Sequence, residues 1–236
     1  MSNTLISPSH LELFFERLSE NFGQFLVLRG YEFLPVGYTN DIDVFVPKED
    51  LPRFFECINN LDGIDSKLVI LISRFGLIKC ELLLNDVIIP FDVLYGFYYA
   101  GLEYQECDQL SFNSKIHSCG LFSTPCISDE VRISLLKELL HNGRVRRDKA
   151  AYLLENMDKC AGDLPTDYFE AETIKIVREA IISANYDLPK VSRALKIRLL
   201  AHNLRKDCVT TLKNIVMFVI VKYALRNNYH KIITRL

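Results

Sequence analysis

The sequence of 236 residues predicts an α+β fold with a β-rich first half and an all-helical second half. Two observations carry this prediction. Up to about residue 95, short runs of Leu, Ile, Val and Phe bounded by Gly, Pro, Asn and Asp recur, which is typical of strands. From about residue 128, apolar residues recur at helical spacing instead. The division predicts a core at residues 1–100, a connecting segment at 101–127 and a helical domain at 128–236.

The first half is predicted to follow the order helix, strand, strand, helix and three strands. The first helix begins at Ser7 and Pro8, carries Leu11, Phe14, Phe15 and Leu18 on one face, and ends at Gly23. The predicted strands cover residues 25–28, 40–46, 67–73, 77–84 and 87–95. A second helix begins after Pro47, and tight turns are expected at Phe75-Gly76 and Asn85-Asp86.

The second half is predicted to hold four helices. They begin at Ser128, Lys149, Thr166 and Lys190, and the first of them ends at Gly143, which is a typical C-terminal stop. The connecting segment is rich in large apolar residues, too many for a solvated tether. We therefore expect the helical domain to pack on the core.

Composition limits the classes of protein to consider. Apolar residues make up 49% of the chain and charged residues 25%, and the net charge of −2 gives no overall basic field for nucleic acid. Basic residues do gather at 144–147 and 190–206. We therefore do not expect nucleic acid as the main partner, and tRNA is kept as an alternative.

The cysteines and the termini favour a cytoplasmic protein. Seven cysteines are scattered without a C-x-x-C pair, as is typical of reduced thiols. Residues 1–8 show no signal peptide, and the apolar stretch 215–221 is too short to span a bilayer. These patterns predict a cytoplasmic location with no membrane span.

Two carboxylates stand two residues apart in the predicted strand 40–46. Alternate residues of a strand face the same side, so Asp41 and Asp43 are predicted to point one way and the apolar residues of the run the other. Two neighbouring anions favour a divalent cation between them, and Mg²⁺ prefers carboxylate oxygens. The alternative is a solvated strand end. A third carboxylate, Asp92, stands between Phe91 and Val93 in a later strand.

The order of these features resembles the nucleotidyltransferase superfamily typified by DNA polymerase beta. The resemblance covers residues 11–96 and rests on a Gly turn, an Asp-x-Asp pair and a later lone Asp, here Gly30, Asp41, Asp43 and Asp92. The phrases at 28–35 and 40–43, with the acidic helix start at Asp129-Glu130 and the run 139–143, are similar to nucleotidyltransferase-like proteins encoded among bacterial surface-polysaccharide genes.

The resemblance implies a small mixed sheet, two Mg²⁺ ions and a nucleoside triphosphate substrate such as ATP. It places Asp41 and Asp43 as ligands of both ions, and Asp92 as the third ligand and acceptor of the hydroxyl proton. It places the following residues at the nucleotide: Arg29, Gly30, Tyr31 and Asn40. The superfamily usually has Gly or Ser after the turn Gly, whereas this chain has Tyr31, which either repositions the hydroxyl or blocks the usual triphosphate pose.

Four functions are therefore weighed. The first is a Mg²⁺-dependent nucleotidyltransferase acting on a hydroxyl or phosphate acceptor, in surface-polysaccharide biosynthesis. The second is a catalytically inactive binding module of the same fold, for which Tyr31 is the main argument. The third is the nucleotidyltransferase of a toxin–antitoxin pair, supported by the late basic cluster. A glycosyltransferase is disfavoured, because only about forty residues precede the Asp-x-Asp pair.

Overall fold

The computed structural model describes residues 8–23, 25–29, 31–37, 41–107, 110 and 114–227. They divide into two compact units. Unit 1 takes the described parts of Met1–Gly96, Cys107–Pro125 and Val221–Leu236, and unit 2 takes Phe97–Glu106 and Cys126–Ile220. The segment 101–127, for which the sequence pattern predicts no strand, contains three short strands; its two ends belong to unit 2 and the described part of Cys107–Pro125 between them belongs to unit 1.

Nine strands and seven helices are found in the described residues. The strands are β1 (Leu26–Arg29), β2 (Ile42–Phe45), β3 (Ser66–Arg74), β4 (Leu77–Leu84), β5 (Val87–Leu94), β6 (Phe97–Tyr99), β7 (Leu102–Gln105), β8 (Lys115–Ile116) and β9 (Ser123–Thr124). The helices are α1 (Pro8–Asn21), α2 (Leu51–Asn59), α3 (Ile127–Lys137), α4 (Arg147–Lys159), α5 (Ala171–Ile182), α6 (Pro189–Lys206) and α7 (Cys208–Asn227). The predicted α+β class is confirmed.

Unit 1 is built on a mixed seven-stranded sheet in the order β3-β4-β5-β2-β1-β9-β8. The pairs β2–β5 and β1–β9 are parallel, and the other neighbours are antiparallel. The tight turns at both ends of β4 form as predicted. Gly76 has φ +83°, and Asn85 and Asp86 have φ +46° and +66°, a left-handed pair that matches the twist of a two-residue hairpin.

The core of unit 1 lies between this sheet and its first two helices. The predicted apolar face of α1 is confirmed, because Leu11, Phe14, Phe15 and Leu18 are all fully buried. From α2, Phe54 and Ile58 enter the same core. The sheet contributes alternate residues of β2 and the residue after it, Ile42, Val44 and Val46. This alternation places the intervening residues of β2 on the opposite face.

Unit 2 combines the β6–β7 hairpin with helices α3 to α6 and with α7 up to Ile220. Helix α3 continues into a π-helical turn at Glu138–Asn142, and Gly143 ends it in the left-handed conformation, as predicted. The helix predicted from Lys190 to the end is wrong, because α6 and α7 are separate. Asp207 between them is extended, and its side chain accepts a hydrogen bond from the Thr210 backbone N–H, which starts a new helix.

Candidate metal centre

The centre of the unit 1 sheet brings two carboxylates side by side. Strands β2 and β5 run parallel with Asp43 directly opposite Asp92. Asp41 comes immediately before β2. One carboxylate oxygen from each of Asp41, Asp43 and Asp92 lies within 4.8 Å of the other two. The convergence expected from the sequence is therefore present in the fold.

Burial makes this cluster electrostatically costly. The exposed fractions of Asp43 and Asp92 are 3% and 7%, and Asp41 is half-buried. Asp43 points away from the apolar core of unit 1, because it alternates along β2 with the core residues Ile42 and Val44. Its carboxylate is therefore buried outside that apolar core. Buried anions at this spacing repel one another unless a cation offsets them. The alternative of a solvated strand end does not describe Asp43 or Asp92.

A lysine supplies one countercharge. Lys79 on β4 stands opposite Asp92 on β5, and its Nζ donates to Asp92 Oδ2 at 3.0 Å. Sequence reasoning missed this residue. The signal was available, because the predicted two-residue turn at Asn85-Asp86 fixes the register of the β4–β5 hairpin and so places Lys79 across from Asp92.

The thiol next to this pair is not a metal ligand. Burial, together with the smaller effect of the nearby Asp92 carboxylate, raises the pKa of Cys80 to about 12. With this raised pKa, Cys80 is protonated at neutral pH. Because a thiol binds metal only as the thiolate, Cys80 does not act as a ligand. Among the described residues, the cluster therefore offers only carboxylate oxygen atoms.

The donor set fits Mg²⁺. Carboxylate oxygens are hard ligands, which Mg²⁺ prefers. Zinc sites usually include nitrogen or sulfur ligands, and none is found with these three carboxylates among the described residues. Asp41, Asp43 and Asp92 would hold the ion, and Lys79 would compete with it for one oxygen of Asp92. The chemistry of the residues is thus compatible with the cofactor that the resemblance implies.

The predicted nucleotide-binding residues are only partly described. Gly30 and Asn40 lie outside the described residues. Arg29 ends β1, and its backbone is paired with Asp43 after a bulge in the strand. Tyr31 is half-buried and packs on the core of unit 1, and its ring meets the His117 ring edge-on at 5.6 Å. Protein contacts therefore hold the Tyr31 ring.

In unit 2, the π-helical turn presents His141 to two aromatic rings. The rings of Tyr99 and Tyr104 lie edge-on to His141 at 5.3 and 6.2 Å, and Lys196 stands over the Tyr99 ring. Partial burial lowers the pKa of His141, and the positive charges of Lys137 and Lys196 lower it further. His141 is therefore neutral at physiological pH.

Unit 2 also contains an open cavity of about 740 Å³ that includes none of the predicted site residues. Its charged lining is largely paired within the protein. Arg198 binds Glu170, and Lys206 binds Glu106. The internal pairing indicates a solvated cleft between helices, in contrast to the three converging carboxylates of unit 1.

Comparisons with known proteins found no match among protein-family models, curated proteins or solved structures. Within the described residues, no helix has the length and apolar character needed to cross a membrane.

Proposed function

We propose that this chain is a Mg²⁺-dependent nucleotidyltransferase that transfers a nucleoside monophosphate from a nucleoside triphosphate to a hydroxyl or phosphate acceptor. One observation carries the proposal. Asp41, Asp43 and Asp92 converge within 4.8 Å across two parallel neighbouring strands, and two of them are buried. Such a cluster is costly to the fold unless a cation uses it.

Each residue has a distinct role in this reaction. Asp41 and Asp43 would hold the metal ions, which when bound neutralise the triphosphate and its pyrophosphate leaving group. The acceptor oxygen attacks the α-phosphorus, a new P–O bond forms, and the bond to pyrophosphate breaks. The Asp92 carboxylate takes the proton of the acceptor hydroxyl. Lys79, already bonded to Asp92 Oδ2, fixes the orientation of that carboxylate.

The wider context of the proposal comes from the sequence resemblance. The phrases around residues 28–35 and 139–143 are similar to nucleotidyltransferase-like proteins encoded among bacterial surface-polysaccharide genes. We therefore favour a sugar or sugar phosphate as acceptor. A tRNA end, as in a toxin–antitoxin pair, is the acceptor to test second.

The packing of Tyr31 favours a second candidate, a non-catalytic module that binds nucleotide without turnover. The residue stands where the superfamily has Gly or Ser, and its ring is held against the core and His117. A side chain anchored in this way does not clear the position that the β- and γ-phosphates usually occupy. This module would still bind a divalent cation at the three carboxylates.

Calorimetry and a pyrophosphate-release assay separate the two candidates. Wild-type protein is titrated with Mg²⁺ and Mg²⁺–ATP, beside Asp41→Asn and Asp92→Asn; Asp62→Asn, exposed in a loop of unit 1, is the matched control. Pyrophosphate release with a sugar-phosphate or tRNA acceptor supports the transferase. Binding without release supports the non-catalytic module. If no titration shows binding that depends on the carboxylates, both candidates are wrong.

A further inference from the structure

Helix α7 is apolar on both of its faces, although the described residues pack against only one of them. On the packed face, Thr211 is buried and Asn214, Ile215 and Phe218 are half-buried. The β6–β7 hairpin approaches this face so closely that a Cβ on Gly101 would lie 2.7 Å from the Asn214 carbonyl oxygen. A helix that is apolar all round is normally buried all round. The other face of α7 therefore needs an explanation.

The exposed face of α7 is a continuous apolar stripe. It consists of Val209, Leu212, Val216, Val219 and Ile220, all more than half exposed to solvent. At 3.6 residues per turn these positions fall within an arc of about 100°. Apolar side chains scattered singly on a surface are ordinary, but a contiguous stripe marks an interaction site.

The charges around this stripe all have one sign. Helix α7 contains no Asp or Glu, and exposed Lys213 and Lys222 flank the apolar residues. The asymmetry extends beyond the helix. Residues 189–236 carry eleven Lys and Arg against the single carboxylate of Asp207, whereas the preceding 188 residues carry 17 Lys and Arg against 29 Asp and Glu. The basic end of an otherwise acidic chain thus coincides with its exposed apolar helix.

We infer that the exposed face of α7 binds an anionic lipid surface. Helices that lie in the plane of a membrane interface present an apolar face with lysines at its edges. In α7 the face opposite the stripe is packed on protein and takes the place of the polar face of an isolated amphipathic helix. Lysine side chains at its edges reach lipid phosphates while their methylene stems stay on the apolar boundary. The charge of the segment selects an anionic surface over a neutral one.

Two other occupants fit the observations less well. A second copy of this chain would bring the lysines of one helix toward those of the other, with no carboxylate on α7 to pair with them. A partner helix in a coiled coil needs a narrow apolar seam with charged residues beside it. Here Ile220 adds a fifth exposed apolar position beside the four that have coiled-coil spacing, so the stripe is wider than such a seam.

Vesicle flotation with the full chain tests the inference. We expect the protein to float with vesicles of phosphatidylcholine mixed with phosphatidylglycerol, to float much less with phosphatidylcholine only, and to bind more weakly as salt is raised. Ile220→Asp should lower the partition coefficient by about tenfold or more, the factor expected for losing one buried large apolar side chain. Lys213→Gln should lower it by about fivefold.

The chain offers a matched control for each variant. Ile182 on α5 is 58% exposed, against 53% for Ile220, so Ile182→Asp makes the same change on a different helix. Lys175 on α5 is exposed as Lys213 is, so Lys175→Gln is the control for Lys213→Gln. Both control variants should bind as the wild type does. If circular dichroism shows that Ile220→Asp is unfolded, Val216→Asn, a milder change in the same stripe, replaces it.

Three outcomes would overturn the inference. The first is the absence of flotation with anionic vesicles. The second is equal flotation of Ile220→Asp and Ile182→Asp. The third is a wild-type dimer in analytical ultracentrifugation that Ile220→Asp dissociates, without vesicle binding, which would assign the stripe to a second copy of the chain. None of these measurements depends on nucleotide transfer.

Discussion

Replacing Asp43 by Asn should stabilise the protein in the absence of divalent cations. Asp43 is 3% exposed, and its carboxylate lies within 4.8 Å of two others. Two unit charges at that distance repel by about 3 kcal/mol at an effective dielectric constant of about 20. Lys79 offsets part of this repulsion through Asp92, and the amide loses part of the hydrogen bonding of the carboxylate. We therefore expect a net gain of about 1–2 kcal/mol in the free energy of unfolding.

Urea unfolding followed by circular dichroism, in buffer with EDTA, measures this gain. In a chain of this length, each kcal/mol also raises the melting temperature by about 2–4 °C. Adding Mg²⁺ should then raise the melting temperature of the wild type and leave that of Asp43→Asn nearly unchanged, because ligand binding stabilises only the form that binds it. The variant should therefore be more stable without metal and less responsive to it.

Asp129 provides a control of opposite sign. It is 1% exposed, but its carboxylate forms an ion pair with Arg132 at 2.8 Å and accepts a hydrogen bond from the Cys126 thiol. The same Asp→Asn change there removes the carboxylate partner of Arg132, whose side chain is 11% exposed, and should cost about 3–5 kcal/mol. The reasoning is refuted if Asp43→Asn loses more than about 1 kcal/mol in EDTA. That loss would show Asp43 to be held by structural hydrogen bonds.

Three further predictions concern other parts of the chain. Lys79→Met removes the ion pair with Asp92 and should lower the free energy of unfolding in EDTA by about 1 kcal/mol. It should also tighten Mg²⁺ binding in calorimetry, because the competing cation is removed; weaker Mg²⁺ binding would contradict the prediction. Lys196→Met should raise the pKa of His141 toward its ordinary value in an NMR titration. The lowered pKa of His141 favours the folded state above pH 6.5, and this contribution is lost as the pH falls through the folded-state pKa. Gly101→Ala should lower the free energy of unfolding by more than about 2 kcal/mol, and Gly120→Ala by about 1 kcal/mol. Both glycines have positive φ, but only a Cβ at Gly101 would clash with backbone atoms. Equal losses in the two variants would show that the clash at Gly101 relaxes.

Sequence periodicity was sufficient for the local features of this protein. The apolar spacing of α1, the turns around β4 and the end of the π-helical segment at Gly143 all follow from near neighbours in the chain. The same holds for the shared face of Asp41 and Asp43, because side chains alternate in any strand. These properties depend on residues a few positions apart, and the sequence displays them directly.

Long-range pairing was decided by the tertiary structure. Nothing near Asp92 in the sequence states that β5 lies parallel to β2, and only this pairing brings Asp92 opposite Asp43. Strands β6 to β9 were missed, because strands of two to four residues are too short to show a clear periodicity. The single helix expected from Lys190 onwards failed because one aspartate, Asp207, caps a new helix within an otherwise helical pattern.

In α7, too, the helix itself follows from the local sequence, whereas its exposure follows from the tertiary structure. The run of Val, Leu and Ile from Val209 to Ile220 predicts a helix correctly, and its composition suggests a buried one. Burial depends on how many neighbouring elements reach the helix, which is a property of the whole fold. In the part of the chain that the structure describes, only the face that includes Thr211 and Phe218 is packed, and the opposite stripe is exposed to solvent.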